Sequence, residues 1–488
     1  MTRTVIQGGD VVAWRDGGHV IMQGANVAIE GDRVVDVSWN AAGSEDTVID
    51  ASGKLVSPGF VNCHVHAGID TQVLMTDKGA PGYYNSGMIV AAASETTMGN
   101  RGPALTDEER RAAGLYPIVE LLKSGVTTFF DIGGSIGDVD LFADLVGESG
   151  ARAYLGHGFE QASWLLDPAT GALRYHWNDE TGWDGFRRAV RFVEEHDGDH
   201  DGRVKAAIIP LKLDTVHADL LREANDAAAS LDVPITVHAA QAGYEYHELL
   251  RRVGMSPVQY LHSLGLLTPR MIIGHGIYMT GHRFTASPPG DDLRLIAEGG
   301  SSVAHSALVF ARRGIAMESF QRYLDAGVRM VFGSDTLPRD MLQEMRLASM
   351  LCRVVDADWS AANTRDLFNA ATVKASEALG RDDLGRIAPG SKAAVFIADL
   401  RQPHIGPVYA PLLALVHEAT AHDIETVLVD GKVVIEQRKH VSIDEGWLVE
   451  MGEAIGIKQR EGIAARDWKG RAIEEIYPQT FPIVTRDA

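Results

Sequence analysis

The chain has 488 residues, 45% of them apolar and 23% charged, a globular composition with ample chain for a large core and too long for one ordinary domain unless that domain is a barrel with insertions. A formal net charge of −21 argues against a nucleic-acid or anionic-membrane partner. Only two cysteines, Cys63 and Cys352, rule out a disulfide framework, and "MTRTVIQGGDVVAW" shows no apolar leader, so a cytoplasmic protein without membrane spans is expected.

The first fifty residues read as short strands broken by turns at Asp16-Gly17-Gly18 and Gly31-Asp32. From Leu55 the texture changes. Apolar, strand-like runs ("LVSPGFVNCH", "GVTTFFDIG", "RAYLGHGF", "VKAAIIPL", "PITVHAA", "MIIGHGI", "SSVAHSA", "VRMVFGSD") alternate with helical ones such as "DEERRAAGLYPIVELLKSG" and "ADLLREANDAAASLD". Eight strands in this rhythm predict an α/β fold, a (β/α)8 TIM-type barrel over 57–380. After Gly380 strands return, with Asp430-Gly431 as a hairpin turn. The two ends, 1–56 and 381–488, are expected to form a small β-sandwich domain, the second segment ending in a tail. The segment Ala67–Leu105 is a long loop after the first barrel strand, where active-site loops sit. Met75, Tyr83, Tyr84 and Met88 in it suit either an apolar lid or simple packing.

"SPGFVNCHVHAG" ends a buried strand in His64 and His66, which share a face because strand side chains alternate. By themselves they fit a cation site or two ordinary loop histidines. Other strands also end in ligand-type residues: His238 in "PITVHAAQ", His275 in "MIIGHGIYM" and Asp335 in "VRMVFGSDTLPRD". On a parallel barrel these ends converge. His64, His66, His238 and Asp335 then offer three imidazoles and a carboxylate, a set suited to one divalent ion: zinc first, with iron, cobalt or manganese as alternatives.

The ordered "PGFVNCHVH", His238, His275 and "GSD", flanked by strands from both termini, resemble the amidohydrolase superfamily over nearly the whole chain. The run "GSDTLPRDMLQEMRLA" is similar to its triazine hydrolase and cytosine deaminase-like branch. The resemblance implies that His64, His66, His238 and Asp335 hold the metal. It implies that His275 orients the attacking water, while Asp335 takes its proton and delivers it to the leaving nitrogen. It also implies a small-molecule substrate and a homo-oligomer.

Two departures stand out. Where many deaminases of this branch have His-x-x-Glu, whose Glu protonates a ring nitrogen, "HAAQ" has Gln241, which cannot shuttle a proton. Glu245 or Lys212 is the alternative donor. "AHSALVFARRG" keeps only His305 of a His-Cys-Pro-x-x-Asn run, so a different pocket is expected, with Gln241, His305, Lys212 and His157 as substrate-binding candidates. Lys205 and Lys212 are candidates for the bridging lysine of binuclear relatives but are placed as ordinary residues. Asp131 suits either the pocket or a loop cap, and "EYHELLRRVG" reads as a solvated helix face. The expected activity is hydrolysis of a non-peptide C–N bond in a small neutral amide, urea or carbamate. The alternative is removal of an amine or chloride from a heteroaromatic ring, and the third reading is a non-catalytic barrel relative.

Overall fold

The computed structural model describes residues 3–69, 93–133 and 137–484. The lid candidates Met75, Tyr83, Tyr84 and Met88 lie outside them. All eight predicted barrel strands form. One four-stranded parallel sheet pairs Phe60–Val65, Val126–Asp131, Arg152–Leu155 and Val204–Ala206. A second pairs Ile235–Ala239, Met271–His275, Ser302–His305 and Arg329–Phe332. Parallel bridges join the two sheets at both edges, Ile208 to Ile235 and Val65 to Asp335, so the eight strands run round a ring.

Helices separate the strands in chain order. Asp107–Lys123 follows the first strand, Val139–Ser149 the second, Asp179–His196 the third and Ala218–Ser230 the fourth. Thr106 and Glu109 form a capping box that fixes the start of Asp107–Lys123. Strands buried on both faces need near-continuous apolar sequence, which explains the strong strand signal. Six of the eight strands send side chains such as Val61, Phe130, Tyr154, Ile272, Ala304 and Val331 into one interior cluster, joined by Ile209 just beyond the fourth strand. Phe129, Leu155, Val237, Ile273 and Val303 pack instead into the layer of helices.

Strands from both termini, Thr4–Pro58 and Val395–His440, build one nine-stranded sheet with its own core of Ile6, Val27, Val56, Val395 and Leu428. It is a single hydrogen-bonded sheet where two facing sheets were expected. Thr4–Arg15 is interrupted by irregular register near Gly9 and accepts two parallel partners in succession, Thr47–Asp50 and Leu55–Pro58. The predicted turns at Asp16-Gly17 and Asp430-Gly431 have positive φ at both central residues, as tight hairpins with the strand twist require. Beyond His440 the expected tail is a 22-residue helix, Glu445–Arg466. It lies against Asp107–Lys123, where Lys458 Nζ reaches Glu109 at 2.7 Å and Trp447 Nε1 reaches Glu108 at 3.0 Å. Among the described residues no helix is long and apolar enough to cross a membrane.

Candidate metal centre at the carboxyl end of the ring

The strand ends bring His64, His66, His238, His275 and Asp335 together. His64 is at the centre, its ring centroid 4.4 Å from His275, 4.8 Å from His238 and 6.1 Å from His66. Room for it is made by two glycines. A Cβ at Gly274 would lie 2.3 Å from His64 Cε1, and one at Gly333 would lie 2.5 Å from His64 Cβ. The "GH" and "GSD" signatures are therefore also packing requirements: Gly274 lets its strand approach the His64 imidazole, and Gly333 lets its own chain approach the His64 backbone and Cβ. Asp335 adopts a positive φ, and backbone bonds tie it to the first strand, from its N–H to His64 O (3.0 Å) and from His66 N–H to its own carbonyl (2.6 Å). Asn62 Nδ2 donates to Ser334 Oγ at 2.7 Å and braces the same junction.

Asp335 sits between two imidazoles, with Oδ1 3.7 Å from His66 Nε2 and Oδ2 3.4 Å from His275 Nε2. His64, His238 and His275 form the tightest group, with one ligand atom from each lying within 4.8 Å of the others. Within the expected set, His275 thus takes a place in the trio and His66 stands beside it. Burial, reinforced by the neighbouring imidazoles, holds His64 and His275 well below the ordinary histidine range. Burial and His66 push His238 down to about 3. Burial and the positive charges of Arg339, Lys212 and Arg313 push His66 down to about 4. These rings are neutral and offer lone pairs.

Neither ring nitrogen of His64 or of His275 has a hydrogen-bond partner, although both residues are buried. Buried polar atoms without partners are costly and rare, and four of them on adjacent imidazoles, with a carboxylate beside them, fit a divalent cation. His238 donates through Nδ1 to Leu211 O, which leaves Nε2 for the ion.

The motif after Asp335 supports this centre mechanically. Arg339 is fully buried, donates to His66 O at 2.7 Å and to Gly68 O, and pairs with Glu120 at 2.8 Å. Glu344 accepts from Leu308 N–H at 3.1 Å and so holds the turn after His305. Sequence reasoning quoted both residues inside the motif without seeing these roles.

The other candidates divide. Lys212 is beside the centre through a backbone bridge to His238; its ammonium pairs with Glu160 and lies 4.9 Å from the Trp164 ring centroid. Lys205 pairs with Asp197 at 2.5 Å. Gln241 is buried on the loop after His238, with Oε1 unpartnered. His157 is not brought to the centre. It lies between the strands Arg152–Leu155 and Gly158–Phe159, and its ring packs edge-on against Phe192 of the helix Asp179–His196 at 5.7 Å. His305 is enclosed by Phe320 and Phe332, with centroids 5.9 and 6.2 Å away, and burial pushes it down to about 4. Asp131 is a loop cap, accepting from Ala67 N–H (2.8 Å) and Gly133 N–H (3.1 Å).

The reading of "EYHELLRRVG" as a solvated face needs correction at Glu245. That carboxylate is fully buried and accepts from Ala240 N–H and Gln241 N–H, each at 2.8 Å, so its oxygens are occupied by backbone and do not face the histidines as a substitute acid. A cluster of aromatic side chains around a buried carboxylate went unseen in the sequence. Asp214 Oδ2 accepts from Trp164 Nε1 (3.0 Å) and Tyr175 OH (2.7 Å), and Trp164 packs edge-on against Tyr244 at 5.1 Å. Trp164 and Tyr175 come from a hairpin, Ala162–Leu166 with Leu173–Trp177, whose alternating aromatics were its only signal.

The model of the amidohydrolase family matches residues 55–434. The chain belongs to the amidohydrolase family. It is a hydrolase acting on carbon–nitrogen bonds. Similar curated amidohydrolase relatives include a 5-methylthioadenosine/S-adenosylhomocysteine deaminase of Thermococcus onnurineus, 31% identical over 85% of this chain and 90% of that protein. A 5'-deoxyadenosine deaminase of Methanothermobacter thermautotrophicus is 29% identical over 88% and 93%. Among solved structures, a mutant atrazine chlorohydrolase from Arthrobacter aurescens complexed with zinc and atraton superposes with a TM-score of 0.77 at 22% identity, covering 93% of this chain and 99% of its own. An adenosine deaminase from Xanthomonas campestris with bound zinc gives 0.77 at 22% identity, over 94% and 99%. These structures share the fold.

Proposed function

We propose that this amidohydrolase is an aminohydrolase of a purine-type ring: it replaces the exocyclic amino group of an adenosine-like nucleoside by oxygen and releases ammonia. The observation that carries this is the match to adenosine-type deaminases over 85% or more of the chain, and it is supported by the grouping of His64, His66, His238 and His275 around Asp335. The main expectation drawn from Gln241, an acyclic amide, urea or carbamate, becomes the second reading. It keeps one specific support: Gln241 stands where a ring-protonating acid is expected, and a glutamine cannot deliver a proton.

On this reading the ring of strands is a TIM-type barrel over 57–380, and 1–56 with 381–488 make the accompanying domain. The trio of His64, His238 and His275, with His66 and Asp335, would hold one zinc ion, which would supply electrophilic activation of the attacking water. Asp335 lies between His66 and His275, where its carboxylate accepts a proton from that water and returns it to the departing amine. Gln241 hydrogen-bonds the substrate ring beside the reacting carbon. Lys212 and Trp164 flank the substrate on the side of the fourth strand. The enzyme is placed in the cytoplasm as a homo-oligomer.

The test is ammonia release by the zinc-loaded enzyme from two panels. One holds aminated purine nucleosides; the other holds small amides, ureas and carbamates. Turnover of the first panel supports the ring aminohydrolase. Turnover confined to the second replaces it by the acyclic reading.

A further inference from the structure

We infer that Glu245 is a positioning residue that fixes the spacing between the loops carrying His238 and His275, and thereby sets the affinity of the histidine trio for its cation. The inference rests on the trio being the metal centre.

The loop after His238 is latched onto the loop after His275 by three backbone bonds. Ala239 O accepts from Gly276 N–H at 3.1 Å; Ala240 O accepts from Ile277 N–H at 2.7 Å and from Tyr278 N–H at 2.8 Å. All three pass through two residues, Ala239 and Ala240. Ala240 adopts a positive φ of 53°, a conformation that L side chains visit rarely, so this peptide needs an external hold. Glu245 supplies it. Its two oxygens take the successive N–H groups of Ala240 and Gln241 at 2.8 Å each. Glu245 therefore clamps the peptide whose carbonyls clamp the His275 loop.

Two alternatives predict different behaviour. Glu245 is in the first turn of the helix Gly243–Val253, whose N-cap Ala242 makes no side-chain cap bond, so a carboxylate here also suits a helix cap. A pure cap would affect only residues 243–253. A pure packing role depends on side-chain volume, which Glu245→Gln preserves. A clamp depends on two acceptors, of which Glu245→Gln removes one and replaces it by a donor facing an N–H. Glu245→Asp keeps both acceptors on a shorter arm.

The experiment is chelator competition for zinc on the full-length wild type, Glu245→Gln and Glu245→Asp, with Glu248→Gln on the same helix as control, joined to amide hydrogen exchange. Glu245→Gln is expected to raise the zinc Kd about 10–100-fold, the usual effect of residues that orient metal ligands. Glu245→Asp should lose less, and Glu248→Gln nothing. Exchange should quicken in 240–241 and in 276–278 together. The inference is overturned if Glu245→Gln binds zinc as wild type does, or if faster exchange is confined to 243–253. If the wild type binds no zinc, the metal centre itself is refuted, and exchange at 276–278 still decides the clamp. If Glu245→Gln does not fold, Glu245→Asp carries both readouts.

Discussion

The two ends of the strand ring bury polar groups in opposite ways. At the amino end, fully buried Arg152 meets Asp430 of the terminal sheet, and Lys392 stands 3.7 Å from the same carboxylate. Opposite charges meet there, and the pair joins the ring to the sheet. At the carboxyl end four imidazoles converge on one carboxylate, and the rings of His64 and His275 have no hydrogen-bond partner. Burying polar groups is costly at either end. A buried charge that meets its opposite serves the fold, although Arg152 Nε and Nη1 lack hydrogen-bond partners; imidazoles gathered around a carboxylate with both ring nitrogens open serve a ligand.

The comparison breaks most sharply at the ligands. His64→Ala or His238→Ala should lose the metal and reduce turnover to background while circular dichroism stays native, because groups at this end serve chemistry more than stability. Metal analysis checks it: full metal content in a variant would remove that residue from the site. Asp335→Asn should lower kcat by about 10²–10⁴-fold while retaining most of the metal, since Asn offers an oxygen but accepts no proton. Turnover close to wild type would exclude Asp335 as the proton carrier. At the opposite end Arg152→Met leaves Asp430 buried without its partner and should cost about 3–5 kcal/mol of stability. The signature to look for is a lower Tm with unchanged zinc stoichiometry and unchanged turnover per folded molecule.

Smaller effects sharpen the contrast. Gln241→Ala should mainly raise KM, as loss of uniform binding does. Gln241→Glu should raise kcat on an aminated ring by restoring a proton donor; no gain there, with turnover of ureas or carbamates, would favour the acyclic reading. The metal-free protein should lose stability as the pH falls from about 6.5 towards about 4, because His66 titrates near 6.5 when unfolded and near 4 when folded. In that window the unfolded chain binds more protons, so stability rises with pH and falls with acid. The Tm of the metal-free protein followed across that window checks the sign, and a flat profile would contradict neutral, buried imidazoles.

Much of this was legible in the sequence, and the reasons are local. Parallel strands buried on both faces print apolar runs, so all eight could be found. A strand end is a fixed address, so His64, His66, His238, His275 and Asp335 could be placed on one rim from spacing alone. One strand-like run misled: His157 follows the strand Arg152–Leu155, but its ring packs against Phe192 of the helix layer. Residues acting through backbone leave no such mark. Arg339 works on the carbonyls of His66 and Gly68, and Glu245 on the amides of Ala240 and Gln241. Neither is distinguishable in sequence from an ordinary charged residue on a helix or loop. The Asp214 cluster depends on a hairpin meeting a residue 39 and 50 positions later, long-range contacts with no periodicity.

The central claim is that the open end of the ring holds one cation on which hydrolysis of an aminated ring depends. It is tested most directly by stripping the enzyme with chelator, returning zinc in steps, and following ammonia release from a deoxyadenosine-type nucleoside against bound zinc per chain. No release is expected from the stripped enzyme, and the rise should saturate at one ion per chain. Undiminished release from metal-free protein, or none at any zinc loading, would contradict that claim.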